Sequence, residues 1–159
     1  MVSPLPQKLF IIKMTHPHKK VLFICKGNWF RSQIAEAIYN KLTNSKDAYS
    51  VGSYVGTPDE PEGQKLSNLF KTTDFFEIME SHGINIRNNF TKRLLPDMLS
   101  EYDVIVSMVE EPFIPEFLRN SKKVIWWTIE NTKFVDKKIA EDTYKKIENL
   151  VKKLVNLQS

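Results

Sequence analysis

The chain's one cysteine, Cys25, lies in the stretch VLFICKGNWFRS, and an arginine, Arg31, follows six positions later. A thiol and a guanidinium at that spacing can act on one ligand only if the residues between them curl. Gly27 and Asn28 are the residue types that accept positive φ at low cost, as a tight curl requires. A curl turns successive backbone N–H groups inward, and such a nest at a helix N-terminus is an anion site. Arg31 can close the ring with paired hydrogen bonds to a tetrahedral oxyanion. The same field favours the thiolate, the nucleophilic form of cysteine, and Ser32 can donate its hydroxyl to it. These residue types describe a nucleophile beneath a bound oxyanion, the arrangement used for phosphoryl transfer through a covalent intermediate. A structural cysteine beside an unrelated surface arginine is the plainer reading. Gly27, Asn28, Arg31 and Ser32 falling together where an oxyanion loop needs them argues against it.

Such a loop must be held between a strand and a helix, and the flanking sequence supplies both. VLFIC, residues 21–25, is a continuous apolar run of the kind buried on both faces of a sheet. After the turn residues, SQIAEAIYNKL places Ile34, Ala35, Ile38 and Leu42 at helical spacing. AYSVG predicts a short strand closed by Gly52, and residues 53–65, rich in Pro, Gly and acids, predict a loop. TDFFEIMESHG predicts a helix, with Asp74 as N-cap and Gly83 as its C-terminal stop. YDVIVSM, residues 102–108, is a second buried strand, EPFIPEFLRN a short helix and KKVIWWTI a further strand. Ile139, Ala140, Thr143, Tyr144, Ile147, Leu150, Val151 and Leu154 share one face of a long final helix. Strands alternating with helices predict an α/β fold: a three-layer sandwich around a mostly parallel, four-stranded sheet. Ligands of such sheets sit beyond the carboxyl ends of the strands, where Cys25 falls.

The 159 residues, 42% hydrophobic and 26% charged, fit one globular domain, expected over 19–159 with a flexible extension over 1–18. The apolar patch at 9–12 is too short for a membrane span and Lys13 interrupts it; Met14 is an alternative start. A single cysteine makes no internal disulfide, so a cytoplasmic protein is expected. The net charge of +4 comes from scattered lysines, and no nucleic-acid-reading motif accompanies it. Neither nucleic acid nor membrane is expected as a partner, and the chain is expected to be a monomer.

VLFICKGNWFRSQIAEA resembles the signature of the low-molecular-weight protein tyrosine phosphatases, a C-x5-R-S loop after a buried strand followed by an AEA-type helix. YSVGS is similar to that family's S-A-G segment, HGINIRNNFTKRL to its G-I-x-x-x-x-H-x-A-R-x-L stretch, and YDVIVSMVEE to its D-x-I-x-x-M-D segment. WWTIENT occupies the place of W-D-I-x-D-P. The fit is loosest between residues 53 and 74, where the chain is longer than the pattern.

The resemblance implies Cys25 as nucleophile, forming a phosphocysteine, and Arg31 as phosphate ligand and transition-state stabiliser. Lys26, Gly27, Asn28, Trp29, Phe30 and Arg31, with Ser32, would form the cradle. Asn28, Ser32 and Ser50 would brace it. Neither cofactor nor metal is implied, because the cradle supplies the charge stabilisation. The implied substrate is a phosphotyrosine-containing protein or a small aryl phosphate. Two departures stand out. Asn131 and Thr132 fall where the family has its general-acid aspartate and a proline, and an amide cannot donate and recover a proton. Glu130 and Asp136 are the carboxylates near enough in sequence to replace it; ordinary roles for them are a solvated loop acid and a helix N-cap. Asn89 stands where a loop-bracing histidine is expected. His82 is expected to be solvated, and His16 and His18 to bind nothing. Trp29 is a candidate aromatic wall, and Phe134 a counterpart of the aromatic residues after the family's acid. Slow turnover, a binding module without turnover, and an arsenate reductase coupled to an external small thiol are the alternatives. Arg31 with Ser32 argues against a sugar-transport phosphocarrier.

Overall fold

The computed structural model describes residues 18–158. The expected extension, with Met14 and His16, lies outside them except for His18. Val21–Cys25 forms β1, and none of its residues is more than 2% exposed. β1 pairs in parallel with β2 (Ala48–Gly52) and with β3 (Val104–Ser107). β3 pairs in parallel with β4 (Val124–Trp126), giving the order β2-β1-β3-β4. Five helices accompany the sheet among the described residues: α1 (Arg31–Thr43), α2 (Asp74–Ser81), α3 (Met98–Glu101), α4 (Glu116–Arg119) and α5 (Lys137–Asn156).

Successive side chains of a strand face opposite ways, so β1 feeds two cores. Val21, Phe23 and Cys25 pack with Ile34 and Ile38 of α1, Phe75 and Met79 of α2, and Ile147 and Val151 of α5. Leu22 and Ile24 pack on the other side with Ile105, Leu118 of α4 and Leu99 of α3. Helices on both faces make three layers, as the alternating pattern predicts. Each fully buried Leu, Ile or Phe contributes about 1.5–3 kcal/mol, so this double core fixes the end of β1 firmly. No helix among the described residues is long and apolar enough to cross a membrane.

Several local expectations need correction. The strand read from KKVIWWTI runs only from Val124 to Trp126, because β4 is an edge strand with a single partner; Ile125 and Trp126 remain 41% and 44% exposed. Trp127 turns inward and packs on Phe23 at 5.8 Å. The helix read from EPFIPEFLRN shrinks to Glu116–Arg119, since Pro112 and Pro115 donate no hydrogen bond and Pro115 becomes the cap position. Asp74 is the first helical residue of α2 rather than its cap, which is Thr73. Gly83 does follow that helix with φ of +79°. Leu42, placed on the inner face of α1 by spacing, is 45% exposed at the helix's end. His82 is half-buried, not solvated. Its ring stacks on Tyr144 at 3.9 Å and its Nε2 lies 2.7 Å from Glu141, tying α2 to α5.

Candidate active site

β1 ends at Cys25 and α1 begins at Arg31, so residues 26–30 must reverse in a space closed by packed elements on both sides. Asn28 solves the turn, with φ of +55° and no exposure. Its Nδ2 donates to Ser32 Oγ (2.8 Å) and Ser50 Oγ (3.0 Å). Its Oδ1 accepts from the Lys92 amide (2.9 Å) and Gln33 Nε2 (3.2 Å). Asn89 donates to Gln33 Oε1 at 3.1 Å, so it reaches the loop through Gln33. Ser50 on β2 and Ser32 on α1 are therefore joined by one side-chain amide.

The sulfur sits inside this frame. The Asn28 amide donates to Sγ at 3.2 Å, and Ser32 Oγ lies 3.0 Å away. Ser32 Oγ accepts from Asn28 and also meets the sulfur, where either group can donate. Two polar groups thus meet the sulfur and hold it at the floor of the loop, the position a nucleophile would need. No side chain caps α1 and no acid occupies its first turn, which leaves the positive end of the helix to a ligand. Gly27 is required by crowding. A Cβ there would lie 2.5 Å from the Trp29 ring and 2.6 Å from Glu60 Oε2.

Arg31 is only 2% exposed. Its Nη1 donates to the carbonyls of Met108 (2.7 Å) and Ile129 (3.1 Å) and to Glu110 Oε2 (2.8 Å). Nε donates to none of the described residues, so one N–H edge remains for an oxyanion. The Lys26 ammonium lies over the Phe113 ring at 4.2 Å, and Phe30 is buried against Phe75. Phe30 can thus offer the loop its backbone but not its ring. Trp29 is half-exposed and stacks on Phe30 at 5.7 Å.

A concavity of about 210 Å³ opens over the loop, with Cys25, Trp29 and Arg31 on one side and Asn131, Thr132 and Lys133 on the other. It adjoins a larger one of about 570 Å³ that includes Trp29, Phe70 and Phe134. Phe134 is 70% exposed at that rim. Among the carboxylates raised by the sequence, neither faces the sulfur. Glu130 is exposed and lines neither concavity. Asp136 accepts from the Ile139 amide at 2.8 Å and caps α5. Sequence reasoning missed two acids here. Glu110 is the second residue after Met108, in a segment quoted for other reasons. Glu60 lies in the long acidic loop that matched nothing, and its place beside Gly27 had no local signal. Among the described residues no group of three or more His, Cys, Asp or Glu side chains could hold a metal ion.

The sequence profile described as "Low molecular weight phosphotyrosine protein phosphatase" matches residues 20–158. The phosphatase of that description from Gallus gallus is 30% identical over 115 residues, covering 67% of this chain and 64% of that protein. The one from Homo sapiens is 28% identical over the same coverage. The chain thus spans about 64% of the length of the curated relatives it matches. Among solved structures, the tyrosine phosphatase Wzb from Escherichia coli K30, in complex with sulphate, superposes with a TM-score of 0.71 at 18% identity, covering 89% of this chain and all of that one. The YwlE arginine phosphatase from Geobacillus stearothermophilus gives 0.69 at 16% identity, over 87% and 92%. At these identities the structures speak for the fold.

Proposed function

Because the chain belongs to the low molecular weight phosphotyrosine protein phosphatase family, we propose that it hydrolyses phosphotyrosine or another aryl phosphate monoester through a phosphocysteine intermediate. The observation that carries this reading is the sulfur of Cys25, held by the Asn28 amide and the Ser32 hydroxyl beneath the open N-terminus of α1. The thiolate attacks phosphorus in line with the aryl oxygen, and the P–O bond breaks. The amides of residues 26–32 and the free edge of Arg31 hold the equatorial oxygens as charge spreads over them. Water then attacks the phosphocysteine, the S–P bond breaks, and inorganic phosphate leaves. Trp29 offers a flat face to the substrate ring, which favours aryl over alkyl esters.

Asn131 stands where the family's acid is expected and has no proton to give, so turnover depends on the leaving group unless another acid serves. The test is rapid mixing with 4-nitrophenyl phosphate. A burst of phenol release of about one equivalent, lost in Cys25→Ser, supports the reading. Retained turnover in Cys25→Ser refutes the nucleophile. Binding of phosphotyrosine with no phenol release, in a burst or at steady state, would instead mark a binding module.

A further inference from the structure

The small concavity holds the nucleophile and the arginine but no family aspartate, and one carboxylate among the described residues does line it: Glu60. Its Oε2 presses on Gly27 in the middle of the loop, 2.6 Å from where a Cβ would be. That oxygen is buried with no hydrogen-bond partner among the described residues. Its position is not an accident of a slack loop. The Glu60 carbonyl accepts from the Gly56 amide (2.8 Å), and its own amide donates to the Thr57 carbonyl (3.2 Å). The next residue is tied down too, with Thr91 Oγ1 donating to the Pro61 carbonyl at 3.1 Å.

We propose that Glu60 is the proton donor of the reaction, acting from the 53–65 loop in place of a carboxylate at position 131. The proposal rests on the phosphatase reading above. An ionised carboxylate beside a bound phosphate dianion is repelled by it, and the Trp29 indole is the one side chain that offers its charge a hydrogen bond to offset its burial. A protonated carboxyl in the same place has a hydrogen to give and an acceptor facing it, the bridging oxygen of the ester. Burial already holds the Glu60 carboxyl above its ordinary value, against the opposing pull of Lys26, Trp29 and Arg31, and the neighbouring Asp59 adds to the rise. Lys133 lines the same concavity, while Asn131 and Thr132 contribute no charge.

The steps balance. As the Cys25 thiolate forms the S–P bond, the electron pair of the breaking P–O bond goes to the aryl oxygen. The Glu60 proton passes to that oxygen, so a neutral phenol leaves. In the second step the Glu60 carboxylate takes a proton from water as its oxygen attacks phosphorus. The S–P pair returns to sulfur, and Glu60 is again protonated.

The experiment measures kcat/KM and kcat over pH for phenyl, 4-nitrophenyl and 2,4-dinitrophenyl phosphate, on the wild type, Glu60→Gln and Glu60→Asp. Expected for the wild type are a shallow dependence on the leaving group and an alkaline limb in kcat/KM. In Glu60→Gln that limb disappears, and kcat/KM for phenyl phosphate falls about 10²–10⁴-fold while the dinitrophenyl ester loses much less. Glu60→Asp recovers part of the loss and keeps the limb. A uniform loss across the three esters would show a positioning effect through Trp29 and overturn the proposal. So would a wild type whose rates already fall steeply with leaving-group basicity, a measurement that needs no folded variant. If the wild type releases no phenol, in a burst or at steady state, even from the dinitrophenyl ester, the phosphatase reading itself fails and this proposal with it.

Discussion

Asn28→Ala removes the one side chain that joins β2, α1 and the segment around Lys92 to the loop, and its cost can be worked out bond by bond. Ser32 Oγ keeps its contact with Cys25, and Gln33 Nε2 keeps the carbonyls of Asn28 and Phe90. The half-buried Lys92 amide loses its acceptor outright, and a donor left unpaired away from water costs about 1–3 kcal/mol. The φ of +55° adds roughly 1–2 kcal/mol for alanine. The sum is about 2–5 kcal/mol, a large part of the 5–15 kcal/mol typical of a whole domain. Melting should fall by about 8–20 °C at roughly 4 °C per kcal/mol for this size. Asn28→Gly loses the same hydrogen bonds without the backbone strain, so it should be the milder change by about 1 kcal/mol. Urea denaturation of both variants gives the two numbers, and titration with inorganic phosphate shows whether the loop still binds. Should Ala and Gly cost the same, and less than about 1 kcal/mol, the amide network is not what shapes the loop.

Three further outcomes are expected. Glu110→Ala deprives a guanidinium that is 2% exposed of its anionic partner; stability falls by about 1–3 kcal/mol, and added phosphate raises the melting temperature of the variant more than that of the wild type. Equal phosphate-induced shifts would contradict this. Glu60 should cost stability as it ionises. Burial holds its carboxyl above the ordinary carboxylate range in the folded protein, so the native state binds the proton more tightly and stability falls as pH rises through the range where the folded group ionises. Glu60→Gln should therefore gain on the wild type as pH rises above the ordinary carboxylate range in denaturant titrations, and a constant difference would speak against it. Finally, Asn131→Asp placed in Glu60→Gln should recover at least about 10-fold of kcat/KM for phenyl phosphate, since both positions line one concavity. Failure to recover anything would mean that position 131 cannot reach the leaving group.

The parts of the site that the sequence discloses are those whose physics is local. VLFIC can only be a strand buried on both faces, and all five of its residues are. Gly27 and Asn28 both suit a positive φ by residue type, but only Asn28 takes it; Gly27 instead leaves room for the Trp29 and Glu60 side chains, which local sequence does not announce. What stays hidden depends on distant packing. The ladder of β4 stops early because none of the described residues pairs with its outer edge, a property of sheet order rather than of KKVIWWTI. His82 looks like a surface residue until α5 brings Tyr144 against its ring. Glu110 and Glu60 are acids in unremarkable loops, and only the folded chain sets one against Arg31 and the other against Gly27.

The two loops that flank the sulfur differ in what they can make of a carboxyl group. Glu130, Asn131, Lys133 and Phe134 are all exposed, following an edge strand with little to cover them. A carboxylate there is bathed in water, with no packed element over it to set its surroundings. The 53–65 loop is different. It is fastened at Gly56 and Thr57, and its Pro61 carbonyl accepts from Thr91, so it can press one acid against the cradle and exclude solvent from it. Burial that raises the proton affinity of Glu60 is the same burial that costs stability once the group ionises. An acid tuned in this way is expected at a place where its proton is used, because a neutral glutamine would fill the space at lower cost. The absence of a carboxylate at position 131 and the presence of one over Gly27 therefore belong to a single arrangement. On the proposal that Glu60 is the donor, its proton is held by a packed loop that the fold fastens rather than by the exposed one around position 131.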